Sequence, residues 1–265
     1  MTAATERLPT RLPRSRFAIG SAIGAAVLTV LAGRAVGFDL SGLITDLTRP
    51  NSVVEGLLSP DWTQIWSRRS RSAFIETLQL AVLATAAGAV VALILALYAT
   101  EYGAPNRAVR VGIRLVNSVI RALPDLLWAL LFVSAVGIGA LSGLLALFFF
   151  SIAVISKLTS DTLDGLDQAP IEAALAAGAS TTEMLRTAVI PQILPSYVSF
   201  VLYGFEINLR ASAVIGLVGA GGIGERIQFF QGRGEWDKLW GLVILFFLVV
   251  FAVERISTFF RRRLV

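Results

Sequence analysis

The chain has 265 residues, 55% hydrophobic and 15% charged, with neither cysteine nor histidine. That excludes thiol and zinc-finger chemistry and a histidine general base; a mean hydropathy of +0.74, set against the roughly 25% charged residues of a soluble domain, points to a chain dissolved largely in lipid. The net charge of +5 has to be placed relative to a bilayer before it can be read as a nucleic-acid surface.

About 20 apolar residues are needed to cross a hydrocarbon core as helix. The first such stretch runs from Phe17 to Val36, with Arg34 near its end. Four arginines precede it, so it also reads as a secretory signal with a weak cleavage site at Gly33 and Ala35, but the apolar run exceeds a signal core and favours a retained span. Residues 37–71 mix Asp39, Asp46, Glu55 and Asp61 with Trp62 and Trp66, which predicts an extracytoplasmic segment with tryptophans at headgroup level. A second span covers Phe74 to Tyr98, its Glu76 and Gln79 confined to the opening turns.

Between Arg121 and Lys157 the only charge is Asp125. As one helix this block would extend about 52 Å, well beyond a bilayer, so it is expected to reverse at Gly137, Gly139, Ser142 and Gly143. That predicts spans at Leu123 to Ile138 and Leu141 to Ile155, with Asp125 capping the former. A fifth span covers Tyr197 to Val218 and a sixth Trp236 to Val253. The predicted fold is all-α, a polytopic membrane protein of about six transmembrane helices. Its two parts are 1–71 (tail, first helix and extracytoplasmic segment) and a membrane core at 72–265.

Basic residues near span ends stay cytoplasmic. With both termini inside, fourteen of the 23 basic residues fall on the cytoplasmic side; Arg68, Arg69 and Arg71 break the pattern. Arg261 to Arg263 follow a span with no aromatic between them, so they read as an interface anchor and not as a nucleic-acid patch.

Residues 158–196 form the longest polar interruption of the second half. Pro170, Ile171 and Glu172 suit a helix start, Ala173, Ala174, Ala176 and Ala177 continue it, and Gly178 breaks it. Ser180 and Glu183 then have capping-box spacing, opening a second short helix that Pro191 is expected to end. The product is an interfacial helix pair with a small-residue surface that another protein could approach closely.

Three further patterns bear on function. Glu206 and Arg210 are four residues apart inside the fifth span, so on a helix they share a face and are expected to pair; Asn208 lies on another face. An intramembrane arginine costs on the order of 2.5 to 3.5 kcal/mol and faces protein or a water-filled path. Gly219, Gly221 and Gly224 match a dinucleotide fingerprint, but they follow a membrane span without a βαβ unit; with Gly222 they predict a tight external turn at the mouth of a path. No P-loop pattern occurs, and Asp161, Asp164 and Asp167 lack a nearby His or Cys, so neither a catalytic nor a metal site is expected.

The loop is similar to the "EAA" loop of ABC importer permeases: Glu172, Ala173 and Ala174, then Gly178, then Ile190 and Pro191, with Leu185 where that family carries an aromatic. Over about residues 72 to 258, Arg121 to Pro124 with Leu127 to Leu130, Phe205 to Arg210 and Gly216 to Gly224 resemble the phosphonate, phosphite and phosphate branch, which often has a basic residue where Gly204 stands here. The resemblance implies a type I ABC importer permease fold and no enzymatic activity. It implies a homodimer in the bacterial cytoplasmic membrane, working with a cytoplasmic ABC ATPase dimer that carries ATP and Mg, and with an external substrate-binding protein. The chain itself would hold no cofactor and bind no nucleic acid. The loop residues Glu172, Ala173, Ala174, Gly178, Ile190 and Pro191 would couple to the ATPase, and Arg210, Glu206 and Asn208 would belong to the translocation path, with Arg210 offsetting the substrate's negative charge. Two alternatives are a permease for another small solute, such as an amino acid or sulfonate, and an intramembrane enzyme. The latter needs paired carboxylates or a metal cluster that the sequence lacks.

Overall fold

The computed structural model describes residues 16–38, 42 and 51–264; Asp39, Asp46 and the tail before Arg16 lie outside them. Two compact units divide at Asn51 and Ser52. The first holds α1 (Arg16–Ala35). It ends where the hydropathy does: Gly37 takes φ +71, Phe38 N–H donates to Gly33 O at 2.8 Å and Gly37 N–H to Arg34 O at 3.1 Å, a Schellman closure that needs the left-handed glycine.

In the second unit, α2 (Ser52–Leu58) and a 3-10 turn at Trp62–Trp66 pack on the start of the last helix. Gly56 lies against Trp236, where a Cβ would meet the Trp236 backbone at 2.6 Å. The Trp240 indole donates to Val53 O at 2.9 Å, and Asp61 N–H to Asp237 O at 3.0 Å. Trp62 and Trp66 stay exposed, as headgroup-level residues do.

The second span, α3 (Arg68–Tyr98), begins six residues earlier than hydropathy suggested, because the Ser67 hydroxyl accepts from Ser70 N–H. Its buried side is small: Ala73, Thr77, Ala81, Ala84, Gly88 and Ala92. That allows close approach to α6 (Ala140–Leu163); a Cβ on Gly88 would lie 2.7 Å from Ser151 Cβ. In membranes, where lipid is as apolar as leucine, such close packing is the main source of helix association.

The predicted third span is corrected. Helix α4 (Arg107–Ala122) and helix α5 (Asp125–Val136) meet at 91°, and α5, at 12 residues, is about 18 Å long, too short to cross alone. Pro124 is the cause: it forces Leu123 into extended conformation, ψ 132, and denies the helix a donor. Asp125 sits in the first turn and accepts from Leu126 N–H at 2.9 Å. The reversal into α6 falls at Gly137 and Gly139, φ 93 and 139, where it was expected. Helix α6 continues past its predicted end at Ile155 to Leu163, with Ser156, Thr159, Ser160 and Leu163 buried and Lys157 paired with Asp161 along it.

The remaining helices are α7 (Gln168–Ala176), α8 (Thr181–Met184), α9 (Ile190–Gly216), α10 (Ile223–Gly232) and α11 (Trp236–Leu264). Two local expectations fail. Asp167 caps α7, so Pro170 is its third residue and not its first. Pro191 does not end α8: a π turn at Leu185–Val189 carries the chain straight into α9, giving one continuous helix of 36 residues from Thr181 to Gly216, about 54 Å long and so longer than a hydrocarbon core of roughly 30 Å, which leaves its first turns outside the membrane. A π turn widens the backbone where proline removes a donor. With α3, α6 and α11 this makes, among the described residues, four helices long and apolar enough to cross a membrane, α1 being a shorter apolar helix and α4–α5 a bent pair. The chain is an all-α polytopic membrane protein.

Candidate functional site

Three places in the second unit carry the residues singled out in the sequence. The first is the loop after α6. Helix α7 buries Ile171 in a cluster with Leu163, Met184, Ala188, Val189 and Ile193 and packs the half-buried Ala174 against it, while Glu172, Ala173, Leu175, Ala176 and Ala177 are exposed. Gly178 closes α7 at φ +80, and nothing lies within 4 Å of its Cβ position. Ser180 and Glu183 form the predicted capping box in full, and the hydroxyl and backbone donors of Ser180 hold the Glu183 carboxyl below its usual range. This end is tied to the body by polar bonds: Arg114 donates to Asp164 and to Ala99 O, both at 2.7 Å, and Gln168 to the Tyr102 hydroxyl at 2.6 Å. The result is an exposed ridge rich in alanine, carrying Glu172 and Leu175, and bonded to the body from behind. Ile190 is half-buried and Pro191 exposed at its rear.

The second place is the glycine turn at the opposite end of α9. Gly219, Gly221 and Gly222 have φ of +85, +83 and +74, which residues with a Cβ avoid. The turn is pinned at two points: Gly139 N–H donates to Gly219 O at 2.8 Å, and Ile223 N–H to the Thr77 hydroxyl at 2.8 Å. A Cβ on Gly221 would meet Glu76 Oε1 at 2.6 Å, and Gly224 packs backbone to backbone on Gly216 and Ala213. These positions therefore admit glycine alone, Gly219, Gly221 and Gly222 by their positive φ and Gly224 by its backbone packing.

The third is the middle of α9, where the expected Glu206–Arg210 pair is corrected. Glu206, 5% exposed, accepts from Arg261 of α11 at 2.7 Å. Arg210 is exposed; its Nε reaches only the Glu206 backbone oxygen, at 3.4 Å. The tail arginine is closer to the carboxylate because α11 lies alongside α9, a relationship that spacing along one helix cannot reveal. It also removes Arg261 from the predicted interface anchor. Asn208 is fully buried between α3, α6 and α9, its amide donating to Thr85 Oγ1 at 2.8 Å and Ser151 Oγ at 2.5 Å. So the structure brings Glu206 and Arg210 to one side of α9 and turns Asn208 into the protomer. Among the described residues no group of three His, Cys, Asp or Glu could hold a metal ion.

Residues 88–265 match the binding-protein-dependent transport system inner membrane components. The chain belongs to that family. It is 38% identical over 188 residues to the phosphate-import permease protein PhnE of Mycolicibacterium smegmatis, covering 71% of this chain and 35% of that one. It is 32% identical over 226 residues to the phosphite transport system permease protein PtxC of Stutzerimonas stutzeri, covering 84% and 81%. This permease thus spans about a third of the first relative and four fifths of the second. Among solved structures, the MetNI methionine ABC transporter in an inward-facing conformation superposes with a TM-score of 0.65 at 20% identity, over 75% of this permease and 99% of that chain. At that identity the likeness establishes the fold alone, that of a type I importer permease.

Proposed function

We propose that this permease forms the translocation path of a bacterial ABC importer for a phosphorus oxyanion: phosphonate, phosphite or phosphate. The observation that carries the substrate class is a cation inside a membrane helix with no carboxylate of its own. Arg210 sits six residues before the end of α9, exposed and, among the described residues, without an ion pair; an intramembrane arginine is otherwise paired or faces a path. A guanidinium fits a tetrahedral oxyanion by two parallel donors. Similarity to phosphate and phosphite permeases points the same way.

In this reading two copies of the chain enclose the path, the α7–α8 ridge docks on a cytoplasmic ATPase dimer that carries ATP and Mg, and a binding protein delivers substrate at the glycine-turn end. Both chain termini are then cytoplasmic. The exposed Ala173, Ala176, Ala177 and Gly178 suit docking because they allow close approach, and Leu175 exposed among them offers an apolar contact. The permease holds no nucleotide and performs no covalent chemistry; it converts closure of its ATPases into alternating access.

The test is uptake of phosphate, phosphite and methylphosphonate into proteoliposomes holding the complete importer. Arg210→Ala is expected to lose most transport, with Arg210→Lys intermediate. Wild-type rates in both would remove Arg210 from the path, and uptake of none of the three anions would remove the substrate class.

A further inference from the structure

The Arg210 guanidinium lies beside a carboxylate that should capture it. Glu206 and Arg210 occupy i and i+4 of one helix, the spacing at which oppositely charged side chains meet. Both line one small void between α9 and α11, together with Leu209, Val250, Val253 and Glu254. Yet the Glu206 carboxylate is taken by Arg261 at 2.7 Å. That arginine is itself drawn inward: it is 29% exposed, its Nε is buried without a partner, and its Nη2 lies 3.4 Å from the Thr258 hydroxyl. Glu254 is exposed and, among the described residues, makes no ion pair with either arginine.

We infer that Arg261 is a positioning residue for the path: by neutralising Glu206 from the neighbouring helix, it keeps Arg210 free to meet an anionic substrate. The inference rests on the proposed role of Arg210. Electrostatically it follows from the low dielectric around a buried carboxylate. Glu206, sealed at 5% exposure, cannot remain an unpaired anion, because desolvation penalises a lone buried charge heavily. To stay ionised there it needs a cation. If the cation is Arg210, the path loses its only positive group on this face of α9 and an entering oxyanion has to displace a carboxylate. If it is Arg261, the pair is neutral and the path side keeps a full positive charge. The position of Arg261 on α11 also ties the end of that helix to the middle of α9.

The relationship makes a charge-rescue prediction that packing alone does not. In the complete importer in proteoliposomes, Arg261→Gln releases the Glu206 carboxylate to Arg210 and should raise the KM for the transported anion at least tenfold (about 1.4 kcal/mol), more than it changes kcat. Arg261→Lys should keep the KM near wild type. The double variant Glu206→Gln/Arg261→Gln, which leaves no carboxylate to capture Arg210, should bring the KM back toward the wild-type value. A wild-type KM in Arg261→Gln overturns the inference, and so does a double variant no better than that single one. Should Arg261→Gln fail to reach the membrane, the double variant decides alone: a raised KM there overturns it. The Arg210→Ala variant separates the two levels, since unimpaired transport in it defeats the role of Arg210 itself, whereas impaired transport in it with an unaffected Arg261→Gln defeats only the positioning role.

Discussion

The carbonyl oxygen of Ala220 occupies the space in which a side chain at Gly143 would begin. Two segments 77 positions apart, the first turn of α6 and the glycine turn after α9, are thereby in backbone contact, and the neighbouring bond from Gly139 N–H to Gly219 O locks the same junction. Backbone cannot swing aside as a flexible side chain can. Gly143→Ala should therefore destabilise the protomer by about 1–3 kcal/mol or more, read as a lower midpoint of thermal unfolding in detergent. Gly112→Ala, at a position with nothing within 4 Å, is the control and should not lower it.

Gly178→Asp should leave the chain in the membrane while abolishing uptake and co-purification of the ATPase. Its Cβ position is open, so the body has room for it, but the left-handed φ of +80 costs about 1–2 kcal/mol, and the carboxylate projects from the ridge. Gly178→Asn, which tolerates that backbone better and carries no charge, should be milder. Normal ATPase co-purification with Gly178→Asp would sink the assignment of this ridge.

Asn208 separates polarity from charge. Its amide donates to Thr85 and Ser151, whose hydroxyls themselves donate to Ala81 O and Leu147 O. No donor remains for a carboxylate there. Asn208→Asp should cost several kcal/mol, as an unpaired buried charge does, and the chain should fail to accumulate. Asn208→Leu removes the amide without orphaning either hydroxyl and should cost at most about 1 kcal/mol. Thermal unfolding and membrane level of the two variants check the order; equal behaviour would contradict the buried network.

The capping box gives the docking loop an acid limit. The Glu183 carboxyl is held below its ordinary value by the Ser180 donors, so its contribution is complete above the unfolded value of about 4.3 and is lost as pH falls through the lower folded value. Amide exchange in residues 180–190 should therefore show constant protection from neutral pH down to about pH 5 and weaken below it. In Glu183→Gln that acid-dependent loss should vanish.

Much of this molecule is legible without coordinates. Periodicity and apolar length located α3, α6, α9 and α11, glycine spacing located the reversal before α6, and the capping box at Ser180 and Glu183 formed as its spacing required. Proline was read less well. At Pro124 it sets a 91° bend between α4 and α5, just where a separate span was expected to start, and at Pro191 it fails to stop a helix because a π turn absorbs the missing donor.

What the sequence by itself determined was local: which segments are helical and apolar, where the chain turns, and the loop pattern from Glu172 to Pro191 that marks the family. These depend on residues within a few turns of each other. Only the tertiary structure decided which cation Glu206 takes. Arg210 is four positions away and Arg261 is 55, and helical spacing favours the nearer; the packing of α11 along α9 brings the farther guanidinium to 2.7 Å. A buried carboxylate is satisfied by whichever cation the packed helices place against it, and that depends on how two distant helices meet.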